Sequence, residues 1–240
     1  MSYEIAPEPA ARLGLVVLST DETLEDEARA IMGPGPSIYH TRIESAPSVT
    51  PESLAAMEAR MVNSASLLPA GLDAIGYGCT SASVVIGPEA VAAQKRAVQP
   101  GVPVTNPISA VMAGLDAVGA KRIAMVTPYA TDVVAPMRAF LERHGFEVLS
   151  ERSFDERDDR RVPRISEQST LKAMREAVAA AEGVEAVFSS CTNLRSFGII
   201  DAAEAELGVP VISSNSGLLW HLARLGGVER IHGPGRLFSL

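Results

Sequence analysis

The chain repeats itself once, and that repeat limits the possible folds more than any other feature. Gly71–Ser81 (GLDAIGYGCTS) and Gly183–Asn193 (GVEAVFSSCTN) share Gly-x-acid-Ala-aliphatic-x-x-x-Cys-Thr at an offset of 112 residues. Val102–Gly119 and Val209–Gly226 share their opening Val-Pro-Val and their closing Gly at an offset of 107. Leu13–Thr23 and Ile123–Asp132 are related more loosely, roughly 109 apart. Three landmarks in one order at nearly one offset imply a duplication. The expected organisation is two similar halves, Leu13–Gly119 and Ala120–Gly227, with tails over 1–12 and 228–240.

Within each half, short β-rich runs alternate with helical ones. Strands are expected at Leu13–Leu18, Ile38–Ile43, Ala74–Gly78, Val102–Thr105, Ile123–Thr127, Phe146–Ser150, Ala186–Ser190 and Val209–Ser213. Helices are expected over Asp21–Ile31, from Thr50-Pro51-Glu52 onward, and over Glu89–Ala97, Ile108–Val118, Val133–His144, Ser169–Ala181, Ile199–Leu207 and Leu218–Leu225. This alternation predicts an α/β fold of two Rossmann-like halves, with mostly parallel sheets covered by helices. The 240 residues carry a net charge of −8 without a Lys/Arg cluster, which argues against a nucleic-acid partner. No apolar run is long enough to span a membrane. Met1–Arg12 lacks a basic start followed by an apolar stretch, so a cytoplasmic protein is expected.

The only two cysteines, Cys79 and Cys191, hold equivalent places in the repeat. Each is expected to end a strand and precede a helix, at the carboxyl edge where open α/β sheets form their sites. A helix N-terminus would lower the thiol pKa and could hold a carboxylate. Thr80, Ser81, Thr192 and Asn193 add side-chain donors for that anion. A free cysteine is often just a small core residue, and a disulfide is the other alternative. Matched positions, each followed by Thr, favour chemistry: one thiolate abstracts a proton or attacks while the other thiol works from the far side. Two cysteines and four scattered histidines give no zinc pattern.

These motifs resemble the aspartate/glutamate racemase superfamily, and within it the maleate cis-trans isomerase and arylmalonate decarboxylase branch. The likeness runs from LGLVVLSTDETLEDE through GYGCTS, VTPYATDV and SSCTNLR to VPVISSN. LSTDETLEDEAR, GYGCTS and SSCTNLR look most like proteins associated with ectoine utilisation. The resemblance implies two halves related by a pseudo-twofold with the site between them, and no cofactor. It implies catalytic roles for Cys79 and Cys191; the decarboxylases look to have Gly at the first of these positions. It also implies that Tyr129 contacts a substrate carboxylate, and that Thr80 and Ser81 belong to the carboxylate or oxyanion pocket.

Two departures bear on the substrate. Where maleate isomerases carry Asn after the first strand, in a pattern like SSNTT, this chain has Ser19-Thr20-Asp21-Glu22-Thr23. A second Asn of that family falls near Asp159. An amide donates to a carboxylate, whereas an ionised Asp repels it, so an ammonium- or amide-bearing substrate would fit better if both positions face the site. Asp21 reads equally well as a cap of the following helix. Ser213, with Ser214 and Asn215, either completes a carboxylate pocket or forms an ordinary turn. Glu151–Arg164 has five acidic and five basic residues and reads as a solvated, ion-paired loop, or alternatively as a lid. Arg195 either holds an anion or faces solvent.

The activity expected is that of a cofactor-independent isomerase or racemase acting on a small carboxylic acid. A decarboxylase protonating through Cys191 and a non-catalytic ligand-binding protein are the alternatives. The partner expected is that small acid, with a homo-oligomer, dimer or tetramer, as the assembly.

Overall fold

The computed structural model describes residues 1–33, 35–228 and 230–240. Pro34 and Glu229 lie outside the described residues. The chain folds into two four-stranded parallel sheets with one topology. Strands β1 (Ala11–Leu18), β2 (Pro36–Ile43), β3 (Ala74–Gly78) and β4 (Val104–Thr105) take the order β2-β1-β3-β4. Strands β5 (Arg122–Thr127), β6 (Glu147–Ser153), β7 (Ala186–Ser189) and β8 (Val211–Ser213) repeat it as β6-β5-β7-β8. Every pairing within them is parallel. The central strands are buried along nearly their whole length, as uninterrupted apolar runs such as LGLVVL require when helices cover both faces.

Helices connect the strands: α1 (Leu24–Met32), α2 (Pro51–Ala55), α3 (Met61–Ala65), α4 (Thr80–Ile86), α5 (Pro88–Arg96) and α6 (Pro107–Ala117) in the first sheet's part of the chain. Then follow α7 (Thr131–Arg143), α8 (Glu167–Ala179), α9 (Ile200–Leu207) and α10 (Ser214–Leu225). Their starts are chemically marked. Thr50 and Ser213 cap α2 and α10 in reciprocal capping boxes, and Asn106 and Ser166 cap α6 and α8. Proline occupies the opening of α2, α5 and α6, where its missing N–H costs nothing. Among the described residues no helix is long and apolar enough to cross a membrane.

The two sheets are tied by an exchange of helices. Ile108, Val111 and Leu115 of α6 share a core with Ile123, Met125, Phe188 and Ile212 of the second sheet. Conversely, Leu218, Leu219 and Leu222 of α10 pack on Leu13, Leu15 and Val17 of β1. The two helices cross at Gly217, where a Cβ would come within 3.0 Å of Val111 Cγ2 and 3.3 Å of its backbone. Any side chain there would force Val111 to shift by a few tenths of an ångström. The carboxyl ends of β3 and β7 consequently face one another across the junction.

Candidate active site

Cys79 follows β3 directly and is the residue that caps α4, in extended backbone. Cys191 follows β7 by two residues, and here the local structure differs from the expectation of a helix. Thr192 and Asn193 form a turn, and α9 starts only at Ile200, after a 3-10 turn at Phe197–Ile199. Cys191 itself adopts φ 110°, a sterically costly conformation for a residue with a Cβ. Surrounding bonds enforce it. The Cys191 N–H donates to Ser214 Oγ at 3.0 Å, and the Asn193 N–H reaches the Cys191 sulfur at 3.4 Å. Repeat symmetry places the two thiols at matching strand ends, but their backbones are not equivalent.

Both cysteines, Ser81, Tyr129, Asp159 and Thr192 line one cavity. Its remaining wall comes from Leu18, the segment 45–54 and Met57. The centre of a water-sized sphere has only about 20 Å³ in which to move there, and Cys79, Tyr129, Asp159 and Cys191 are all buried, so the cavity is narrow and largely closed. It is closed by a junction between the two parts of the chain. Val49 N–H donates to the Arg157 carbonyl at 2.9 Å, Asp159 N–H donates to the Pro47 carbonyl at 2.8 Å, and Ser48 bridges Asp158 in antiparallel fashion. The charged segment Glu151–Arg164 is therefore partly strand, partly cover. Its outward charges form ion pairs, Arg160 with Asp158, Arg161 with Glu156, Arg157 with Asp132 and Arg164 with Glu22.

Both thiols are free and buried. Burial pushes Cys79 up to about 12, against the Ala82 N–H and the Ser81 hydroxyl, 3.7 Å from the sulfur. Burial likewise holds Cys191 well above the ordinary thiol range, with the nearby Asp159 carboxylate adding to the effect. The Tyr129 hydroxyl and the Asn193 N–H work the other way, stabilising a Cys191 thiolate. The expected lowering by a helix N-terminus is thus outweighed, because removing an anion from water costs more than a few dipoles return.

The other sequence candidates divide into cavity and scaffold. Thr80 lies behind the wall, its hydroxyl 2.7 Å from that of Ser214. Ser214, expected either in a carboxylate pocket or in an ordinary turn, instead links both cysteine motifs at once. Asn193 is a clamp: Nδ2 donates to the Thr20 and Asp159 carbonyls at 3.2 and 2.9 Å, and Oδ1 accepts from the Glu22 N–H at 2.9 Å. Asp21 is buried away from the cavity lining. Its Oδ1 accepts from the N–H groups of Thr23, the N-cap residue of α1, and of Leu24, its first residue, both at 2.8 Å, so it fastens the turn leading into α1, and its Oδ2 has no hydrogen-bond partner among the described residues. Burial raises its pKa over the opposing effect of those N–H groups. Ser213 caps α10 and does not line the cavity. Arg195 donates to the Pro163 carbonyl at 3.0 Å and so braces the cover. Glu27 receives Asn215 Nδ2 at 2.6 Å, and burial, with Asp21 adding to it, pushes its carboxyl up to about 8.

Sequence reasoning missed the wall from Ser45 to Leu54. A signal was present: ESAPSVTPES directly follows the carboxyl end of a predicted strand, where α/β proteins place their sites.

A family model described as arylmalonate decarboxylase matches residues 13–238. The chain belongs to the arylmalonate decarboxylase family. Curated members similar to it include a maleate isomerase of Nocardia farcinica, 31% identical over 239 residues, covering 94% of each chain. An arylmalonate decarboxylase of Bordetella bronchiseptica is 32% identical over 197 residues, covering 80% of this chain and 82% of its own. Among solved structures, a cysteine-to-serine variant of Nocardia farcinica maleate cis-trans isomerase with a covalently bound succinylcysteine intermediate superposes with a TM-score of 0.83. It is 30% identical and covers 95% of this chain and 97% of its own. The family thus spans both reactions, and the resemblance to the maleate isomerase and arylmalonate decarboxylase branch holds over nearly the whole chain.

Proposed function

We propose that this protein is a cofactor-independent isomerase or racemase of a small carboxylic acid, with Cys79 and Cys191 as its reacting groups. The observation that carries the reading is that the only two thiols of the chain line one closed cavity from opposite sheets. For an α,β-unsaturated acid, the Cys79 sulfur would bond to one alkene carbon while the Cys191 thiol gives its proton to the other. Rotation about the resulting single bond, return of that proton to Cys191 and loss of Cys79 would then complete the isomerisation. The succinylcysteine of the Nocardia farcinica enzyme supports such a route. For a substrate with an acidic α-proton, one thiolate would take the proton and the other thiol would return one from the opposite face. Ser81 and Tyr129 supply hydroxyl donors for the substrate carboxylate and the charge that develops on it, and Thr192, whose hydroxyl donates to the Gly78 carbonyl, shapes the wall beside them. Thr80 and Asn193 hold these donors in place; Asp21 and Ser213 act through the backbone they hold.

A decarboxylase is the second reading, favoured by the Bordetella bronchiseptica relative and the family model. There Cys191 alone would protonate the enediolate left by loss of carbon dioxide. Solvent-deuterium exchange over maleate, aspartate, glutamate, hydantoins, substituted malonates and diamino acids separates the readings. A racemase labels recovered substrate; a decarboxylase labels product only; a cis-trans isomerase that takes back the same proton converts substrate without labelling it; and neither label nor conversion across the whole panel leaves a binding protein. Two similar halves at 13–119 and 120–227, a cytoplasmic homo-oligomer and an association with ectoine utilisation complete the proposal.

A further inference from the structure

The cavity holds a single carboxylate, Asp159, and no lysine or arginine among the described residues. Asp159 is fixed by contacts from both parts of the chain. Its N–H donates to the Pro47 carbonyl, its own carbonyl accepts from Asn193 Nδ2, and Thr20 Oγ1 donates to its Oδ2 at 2.5 Å. Asp21 stands near enough for the two carboxylates to repel, with Oδ2 buried and without a hydrogen-bond partner among the described residues. The neutral donors of the cavity, the hydroxyls of Ser81 and Tyr129, suffice for one carboxylate of a ligand, the Thr192 hydroxyl being given to the Gly78 carbonyl at 3.3 Å. Nothing in the lining compensates a second carboxylate placed beside Asp159, and an uncompensated like charge in such a site is costly.

We propose, resting on the reading of this cavity as the substrate site, that Asp159 selects a zwitterion: a small monocarboxylic acid whose second polar group is a cationic nitrogen, ammonium or amidinium, seated on the Asp159 carboxylate. The apolar side chains of Leu18, Val49, Leu54 and Met57 take the carbon skeleton between the two charged ends. Asp21 does not touch the ligand. It deepens the negative potential on that side and keeps a dianion out.

Ligands matched in size test this without any turnover. Succinate and β-alanine differ in one end group, carboxylate against ammonium, and glutarate and 4-aminobutyrate repeat the pair one methylene longer. Dissociation constants are measured by calorimetry at neutral pH for the wild type and for Asp159→Asn, whose folding is checked by circular dichroism. In at least one pair the wild type should bind the ammonium acid at least about tenfold more tightly than the dianion, and Asp159→Asn should bring the two within about threefold. An Asp159 that instead served as a neutral hydrogen-bond donor to a carboxylate would keep its preference in the Asn variant. Tighter or equal binding of the dianion by the wild type overturns the proposal, as does failure of both amino acids to bind, or a ratio unchanged in Asp159→Asn. Should the variant not fold, the wild-type ratios decide alone. Deuterium exchange by Cys79→Ser and Cys191→Ser is scored separately. A preserved ammonium preference with thiol-independent turnover refutes the two-thiol chemistry only, and a dianion preference with thiol-dependent turnover refutes the zwitterion only.

Discussion

The Cys191→Ser variant leaves Cys79 as the sole thiol, and its alkylation reports directly on how the closed cavity treats an anion. An ordinary thiol at pKa 9.0 is about one-tenth thiolate at pH 8, whereas one at about 12 is ionised to roughly one part in 10⁴. Iodoacetamide, which reacts with the thiolate, should therefore modify folded Cys79 about 10³-fold more slowly than the urea-unfolded chain at pH 8. Restricted access would slow the reaction too, but only the pKa governs its pH dependence. The logarithm of the rate should climb by about one unit per pH unit from pH 7 through 10.5 without levelling. The same shift links to stability. A thiol whose folded pKa lies above its unfolded value stabilises the fold fully below pH 9, and that contribution is lost as pH rises from 9 towards about 12. Denaturant unfolding should then weaken across that window, by up to about 4 kcal/mol for a three-unit shift. Levelling of the alkylation rate near pH 9 would place the reacting thiol in water and refute the argument from burial.

Four further outcomes follow from named contacts. Cys79→Ser and Cys191→Ser should each lower turnover at least about 10²-fold with little change in Tm, since a hydroxyl is a far weaker acid, base and nucleophile than a thiol; near-normal activity in Cys79→Ser alone would favour the decarboxylase. Ser214→Ala removes the acceptor of the buried Cys191 N–H and the partner of Thr80, and should cost about 1–3 kcal/mol in urea unfolding together with a fall in kcat. Lys95 is fully buried beside Tyr77, donates to the Met61 carbonyl at 3.3 Å, and is depressed by burial to about 7. The unfolded chain therefore binds the extra proton between pH 7 and 10.5, so Lys95→Met should stabilise the protein most below pH 7, by up to about 4–5 kcal/mol, and progressively less above it; a pH-independent difference would contradict this. Asp21→Ala should lose about 1 kcal/mol or more through the two bonds that hold the turn into α1, whereas Asp21→Asn, which keeps the acceptor, should not, as Tm measurements would show.

The sequence by itself determined the secondary structure in outline and the pairing of the two cysteines. All eight expected strands form, with ends shifted by a few residues, because runs such as LGLVVL and AIGYG report burial on both faces without any knowledge of neighbours. The repeat carried the rest: like motifs at a like offset imply like topology, and the two sheets share one strand order. Gly-Cys-Thr and Ser-Cys-Thr at strand ends were therefore enough to bring Cys79 and Cys191 to one cavity. Tertiary structure alone decided what surrounds them. The exchange of α6 and α10 between sheets, the wall from Ser45 to Leu54 and the bond from Cys191 to Ser214 join residues distant in the chain, and periodicity records only a residue's own face, not its partner. The fates of Asp21 and Asp159 show the same limit. Both are acids at positions marked by the same departure, yet one turns inward to fasten the turn before α1 and the other is carried by the cover to the cavity. The thiol pKa values follow for the same reason, since a helix N-terminus is written in local sequence, whereas the desolvation that overrides it is produced only when both sheets close.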